Sequence, residues 1–479
     1  MGVKELKSNL FNKSQKLLKE IEQKKEIFIL ANSTVDGIIS GSIILKSIFN
    51  NMGNATIRCP CKKIEDTLFE IIDEKHEFYI FTDFDSNAID NINKLLKEGN
   101  YLFINVDAIT KSDNLTYENI VNPWLSNVNG KEEINSAGLA YFLIKNFDRN
   151  HNRLSQLPII SAISKDQDIG ENRSLISLNN EILQTAIKEN TIEQKKGLTI
   201  SEIETTPITN VLENNIIHYI KEITWNKESS LRIIKDSHLS TGKKSNIKLF
   251  DELDEKESIQ LVESIERFLH ENSKSNNKKI IKDVLFGYRY ILTDEENEGL
   301  LKNSRSFVKV MESLLNAQKT GLALALCLGD RGEILKDVHS IITEHNNLIR
   351  KISSQLFGEK WRFYDNKETI FINGEGILDN QNVKSFISFL ENSVSFGNRL
   401  ICLRLLDSEE YYKVIIAKTK FCNFNLLNIE EKVMQETFDK ENVKITDKTK
   451  LEIKISASSL EDFLSTIKKI IIDEKISKS

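Results

Sequence analysis

Short apolar runs recur through the N-terminal part of the chain: IFILA (27–31), ATIRC (55–59), FYIFT (78–82) and YLFINV (101–106). Each is followed by a polar turn and then by a segment with helical spacing, such as IEDTLFEIIDE or AIDNINKLLKEG. Strand-length runs alternating with amphipathic helices predict a mostly parallel, doubly wound sheet over roughly residues 20–170. In such a sheet the carboxyl ends of the strands line one crevice, and ligands bind there. Strand ends are therefore where chemistry is expected.

Those ends carry carboxylates. Asp36 lies in NSTVDG, Asp83 in TDFDS, Asp107 in NVDAIT, and Asp166 in SKDQD after the apolar stretch LPIISAI. Four aspartates converging on a crevice would hold divalent cations, which activate water and neutralise phosphate in phosphoryl-transfer chemistry. Each aspartate alone has a simpler reading as a helix cap or turn residue, and Asp36-Gly37 is a common turn dipeptide. Recurrence at successive strand ends is what favours the crevice.

The rest of the chain changes character. From about residue 180 the pattern is helical (ISLNNEILQTAIKEN, ITNVLENNIIHYIKEI, ESIQLVESIERFLHE), with lysine-rich stretches at 242–248 and 273–282 expected as exposed loops. ETIFINGEGI, NRLICLRLL, EYYKVIIAKTKF and LEIKIS read as strands of a further α/β unit, closed by the helix SLEDFLSTIKKIII. The expected organisation is an α/β domain at 1–180, a largely helical connecting region at 181–360 and a smaller C-terminal α/β domain at 361–479. A chain of 479 residues is long enough for several cores.

A net charge of −6 disfavours a protein coated for non-specific nucleic-acid binding but permits a local basic groove. Five cysteines make no disulfide framework, and Cys59-Pro60-Cys61 reads as ordinary thiols in place of a zinc site. No apolar run approaches the roughly 20 residues that span a bilayer, and the start lacks signal-peptide character, so a cytoplasmic protein without membrane association is expected.

The aspartate-bearing motifs resemble those of the DHH phosphoesterases, specifically the archaeal RecJ-like proteins. These are relatives of the bacterial single-strand exonuclease RecJ and of the RecJ-like subunit of the CMG replicative helicase. NSTVDGIISGSIIL fits the frame H-x-D-x-D-G, with Asn32 in the histidine position, Thr34 in the first aspartate position and Asp36 matching. FTDFDS supplies Asp83. NVDAIT stands where the family has Asp-His-His: Asp107 matches, while Ala108 and Ile109 replace both histidines. ISAISKDQDIG places Asp166 in a metal-ligand position. SFVKVMESLLNAQKTGLALALCLGDRGEIL is similar to the segment leading into the family's C-terminal domain, and FINGEGILDNQNVKSFISFL and YYKVIIAKTKF resemble that domain itself. The family's glycine-rich GGGH segment is replaced by NVKITDKTKLEIKIS.

The resemblance implies a DHH domain followed by a DHH-associated domain, with the active site eroded at Asn32, Thr34, Ala108 and Ile109. Threonine, alanine and isoleucine supply neither charge nor imidazole to a hard cation. Asp36, Asp83, Asp107 and Asp166 would still hold one weakly bound Mg²⁺ or Mn²⁺, an ion that keeps several waters. The resemblance further implies a catalytically inactive scaffold of an archaeal-type replisome, with the GINS complex and the MCM helicase as partners and single-stranded DNA as a ligand. Lys418 and Lys420 stand near where the family presents a basic residue to DNA. The alternatives are a divalent-metal-dependent single-strand exonuclease or phosphoesterase that has substituted its ligands, and a binder of small phosphorylated ligands.

Overall fold

A computed structural model describes residues 2–61, 64–96, 100–109, 117–239, 247–272, 278–366, 369–408, 410–436, 443–447 and 450–476. The chain divides into two compact units that interleave in sequence: 1–208, 240–262 and 285–342 form one, and 209–239, 263–284 and 343–479 the other.

The first unit is built on a parallel sheet in the order β2-β1-β3-β4-β5. Its strands are β1 (Glu26–Ala31), β2 (Asn54–Arg58), β3 (Phe78–Thr82), β4 (Tyr101–Ile104) and β5 (Ile120–Val121). Side chains alternate between two faces, and in β1, β3, β4 and β5 both faces are buried, which is why these four read as unbroken apolar runs, whereas the edge strand β2 exposes Asn54, Thr56 and Arg58. One face presents Ile27, Ile29, Phe78, Ile80, Leu102 and Ile104 to a large core. That core also takes in α1 (Gly2–Glu22), α2 (Val35–Asn50), α5 (Ser136–Ile144), α6 (Gln156–Ser164) and α7 (Ser177–Lys188). The other face presents Phe28, Leu30, Tyr79, Phe81, Tyr101 and Phe103 to α3 (Ile64–Asp73) and α4 (Ala88–Leu95). The expected doubly wound α/β fold is what the chain adopts.

Helix α2 is the centre of this unit, with all but a few of its residues buried. It starts one residue before the Asp36-Gly37 pair, so that pair lies in its first turn and not in a loop. Thr34 is the N-cap, and its Oγ1 accepts a hydrogen bond from the Gly37 amide at 2.9 Å. Gly37 is required by proximity: a Cβ there would lie 2.5 Å from the Asn32 carbonyl oxygen.

One apolar stretch folds differently from the sequence expectation, and a second of the same kind is also helical. LPIISAI forms helix α6, so Asp166 follows a helix and not a strand end. LALALCL lies in a helix at Thr320–Leu328. A short helix buried on most sides shows no 3.6-residue periodicity, and its sequence is then indistinguishable from a buried strand. The region expected to be largely helical also contains two strands among its described residues. β6 (Ile192–Leu198) pairs antiparallel with β7 (Phe286–Leu292) within the first unit. The polar run Glu193 to Lys196 hides β6, with Glu193 and Lys195 exposed and Gln194 and Lys196 half-buried.

The second unit carries a six-stranded sheet in the order β12-β13-β11-β10-β9-β8. Its strands are β8 (Phe363–Asp365), β9 (Thr369–Asn373), β10 (Leu400–Ser408), β11 (Tyr411–Lys418), β12 (Val443–Asp447) and β13 (Lys450–Ser456). Only β9 and β10 run parallel. The expected strands in ETIFIN, NRLICLRLL, YYKVIIAK and LEIKIS are all present. Of the lysine-rich stretches, 242–246 and 273–277 lie outside the described residues, and residues 278–282 begin a helix, Lys278–Leu285. No helix among the described residues is long and apolar enough to cross a membrane.

Candidate functional site

The carboxyl ends of β1 and β3 bring Asp36 and Asp83 together, with Asp83 at the end of β3 in a left-handed conformation (φ 59°). Asp36 is completely buried. Its Oδ1 accepts from the Ala137 amide at 2.8 Å and from Ser161 Oγ at 2.6 Å, and its Oδ2 from the Ser136 amide at 2.9 Å. The carboxylate thus sits on the N-terminus of α5, where unpaired amides and the helix dipole favour negative charge. Asn135 caps the same helix end by accepting from the Gly138 amide.

Asp83 is built in by side chains. Thr34 Oγ1 donates to its Oδ2 at 2.5 Å and Ser136 Oγ to its Oδ1 at 2.9 Å. Asn32 Nδ2 donates to its backbone carbonyl at 2.8 Å. Thr34 and Asn32, at positions where the resemblance expects metal ligands, therefore serve as hydrogen-bond donors to this aspartate.

A cation occupies the space between the two carboxylates, and it is the chain's own. Lys165 Nζ lies 3.7 Å from Asp36 Oδ2 and 3.4 Å from both carboxylate oxygens of Asp83. The lysine side chain is 35% exposed, so its ammonium reaches the pair from the open side of the crevice. Burial alone would lower its pKa, but Asp83, then Asp36 and more weakly Asp107 raise it above the ordinary lysine range. Burial, then the charge of Asp36, push the Asp83 carboxyl up to about 7, against the pull of Lys165.

Of the other expected site residues, Asp107 is near enough for its charge to act on Lys165. Asp107 is half-buried, and its backbone carbonyl accepts from Asn122 Nδ2. Ala108 is exposed, and Ile109 packs against the apolar cluster of α3 and α4, a use an imidazole would not serve. Asp166 is exposed with φ 52°, and its charge acts on Arg173. Among the described residues no group of three or more Asp, Glu, His or Cys side chains is placed to hold a metal ion. As they stand, Asp36 and Asp83 do not fit a divalent cation: three hydrogen-bond donors and an ammonium already use the acceptors of Asp36. In the second unit β11 ends at Lys418, so Lys420 falls in the following turn and the two lysines do not share a strand face.

Sequence reasoning missed Lys165, Ser136 and Ser161. The only signal was the adjacency of Lys165 to Asp166. α6 ends at Ser164, and the chain leaves it through Lys165 and a left-handed Asp166. That turn sends Lys165 into the crevice.

The same turn feeds a second buried ion cluster. Asp168 accepts from Arg173 Nε at 2.7 Å, from Arg173 Nη2 at 3.1 Å, and from Arg305. Burial opposes ionisation, but Arg305 and Arg173 hold the carboxyl down at about 2. Arg305 opens the helix Ser304–Asn316, whose N-cap Asn303 donates to Glu204, itself paired with Arg289 of β7.

The class these features define is a two-unit α/β protein with an acidic crevice at the carboxyl ends of a parallel sheet. Solved structures place it more narrowly. The chain is similar to Cdc45 from Entamoeba histolytica, at 12% identity and a TM-score of 0.62 over 96% of this chain and 99% of that one. It is also similar to the exonuclease RecJ bound to manganese (10%, TM-score 0.53, covering 96% and 93%). A DHH-domain protein assigned to a family of ribosomal proteins matches at 11% identity, with a TM-score of 0.56 over 98% and 91%. No protein-family model and no curated protein matches the sequence. The chain has the RecJ-like DHH fold.

Proposed function

We propose that this protein is a RecJ-like scaffold without nuclease activity, acting in a replicative helicase assembly. The observation that carries the reading is the state of Asp36. Its carboxylate is committed to the Ser136 and Ala137 amides, Ser161 and Lys165. In-line attack on a phosphodiester needs charged ligands free to hold metal and water, and among the described residues no group of three or more Asp, Glu, His or Cys side chains is placed to supply them. The likeness to Cdc45, with a TM-score of 0.62 against 0.53 for the RecJ exonuclease over a similar share of the chain, supports the direction of the reading. The partners proposed on that basis are GINS and the MCM ring, with single-stranded DNA as a ligand.

The test has two arms. Purified protein is incubated with 5′-labelled single strands and Mn²⁺; no shortening is expected, and digestion abolished by Asp83→Ala would overturn the inactive half. Tagged protein is then captured from its own cells; GINS or MCM subunits are expected, and their consistent absence with well-folded bait would overturn the partner half.

A further inference from the structure

We propose that Lys165 is a tethered counter-cation standing in for a divalent metal between Asp36 and Asp83, so that the crevice takes up an external cation only when this lysine is removed. The geometry is that of a cation site with the cation covalently supplied. The ammonium lies 3.4 Å from both oxygens of Asp83 and 3.7 Å from Asp36. The two aspartates are almost fully buried, whereas the lysine is open to solvent on one side. Two carboxylates brought this close need a positive charge, since buried like charges repel and desolvation penalises each of them.

The surrounding donors are arranged around that charge. Ser136 bridges the pair, giving its amide to Asp36 and its hydroxyl to Asp83. Thr34 holds the other Asp83 oxygen. These donors fix the carboxylates whatever cation lies between them. Removing the ammonium would free both oxygens of Asp83 toward the open side and leave Asp36 Oδ2 with one donor. Two carboxylate oxygens and several waters are enough for Mg²⁺ or Mn²⁺, which coordinate oxygens at roughly 2.0–2.2 Å and retain part of their hydration. The ion would enter by the path the lysine side chain now fills. This inference deepens the inactive half of the reading above, and it does not depend on any replisome partner.

The test compares the full chain with Lys165→Ala, Lys165→Met and Lys165→Arg. Mn²⁺ binding is followed by loss of the free-ion electron paramagnetic resonance signal, and stability by thermal melts with Mn²⁺ or with chelator. The unaltered chain and Lys165→Arg should melt at the same temperature under both conditions. Lys165→Ala should bind one Mn²⁺ per chain at least about tenfold more tightly than the unaltered chain, lose that site on adding Asp83→Asn, and regain midpoint temperature with Mn²⁺. If Lys165→Ala does not fold, Lys165→Met keeps the side-chain volume, and a melt lowered relative to Lys165→Arg carries the same conclusion. A stoichiometric, Asp83-dependent Mn²⁺ site in the unaltered chain would overturn the inference. So would a folded Lys165→Ala that ignores Mn²⁺, or a Lys165→Met as stable as Lys165→Arg. Nuclease and capture assays on the unaltered chain are untouched by these outcomes, so failure here is distinct from failure of the scaffold reading.

Discussion

Two buried ion clusters flank one turn, and they are opposite in sign. After α6 the chain gives Lys165 to a crevice holding Asp36 and Asp83, and Asp168 to a pocket holding Arg173 and Arg305. The crevice has two acids and one base, and the pocket two bases and one acid. Burial and then the charge of Asp36 push Asp83 up to about 7, while Arg305 and Arg173, against the effect of burial, hold Asp168 at about 2. A carboxylate with a raised pKa has an easy escape, because it can take a proton. A guanidinium has none, since it stays charged at any accessible pH. The crevice therefore behaves as adjustable and the arginine pocket as fixed, although both pair buried aspartates.

The largest expected effect falls on the fixed cluster. Asp168→Asn leaves two buried guanidiniums facing a neutral amide, and breaking a buried pair from one side costs about 3–5 kcal/mol. Urea denaturation measures it, and a loss within the roughly 0–1 kcal/mol of a surface pair would erase the contrast. Lys165→Met should cost less, on the order of 2 kcal/mol at pH 8, and less again at pH 5, where Asp83 accepts a proton. A cost for Lys165→Met that does not change with pH would mean the crevice is no more adjustable than the pocket.

The pH dependence separates the clusters by sign. Asp83 has a folded pKa raised from 3.8 to about 7, so between those values the folded chain holds a proton that the unfolded chain has lost. Its contribution is most favourable below pH 3.8 and falls as pH rises to about 7, at a slope of up to about 1.4 kcal/mol per pH unit. Asp168 has a folded value lowered from 3.8 to about 2, so its contribution is complete above pH 3.8 and is lost as pH falls through about 2. Denaturation midpoints across pH 4–8 should therefore lose their decline with pH in Asp83→Asn. An unchanged slope would remove Asp83 as its source. The smallest effect is at Thr34→Ala, which removes the cap on α2 and one donor to Asp83 for about 1 kcal/mol. Thr34→Ser, which keeps both bonds, should remain near the unaltered chain.

Much of the fold was legible because the sheet is buried on both faces. IFILA, FYIFT and YLFI had no solvent-facing positions to break their runs, and their turns carried the aspartates expected of strand ends. The same burial made α6 illegible: LPIISAI packs on most sides and lost the helical period that would have told it from a strand. The pairing of Asp36 with Asp83 was legible as two strand ends of one crevice. What filled the space between them was not. Whether Lys165 or Asp166 enters the crevice depends on a left-handed residue after α6, and an aspartate adopts that conformation without announcing it in sequence. Ser136 and Ser161 were equally hidden, since they donate across a hundred residues or more to Asp36 from helices that sequence places only in order.

A crevice whose cation is Lys165 has no place for an external one. The most direct measurement is Mn²⁺ titration of the unaltered protein near neutral pH, followed by electron paramagnetic resonance and repeated on Asp83→Asn. No saturable site should distinguish the two proteins. One Mn²⁺ bound per chain in the unaltered protein and lost in Asp83→Asn would contradict it.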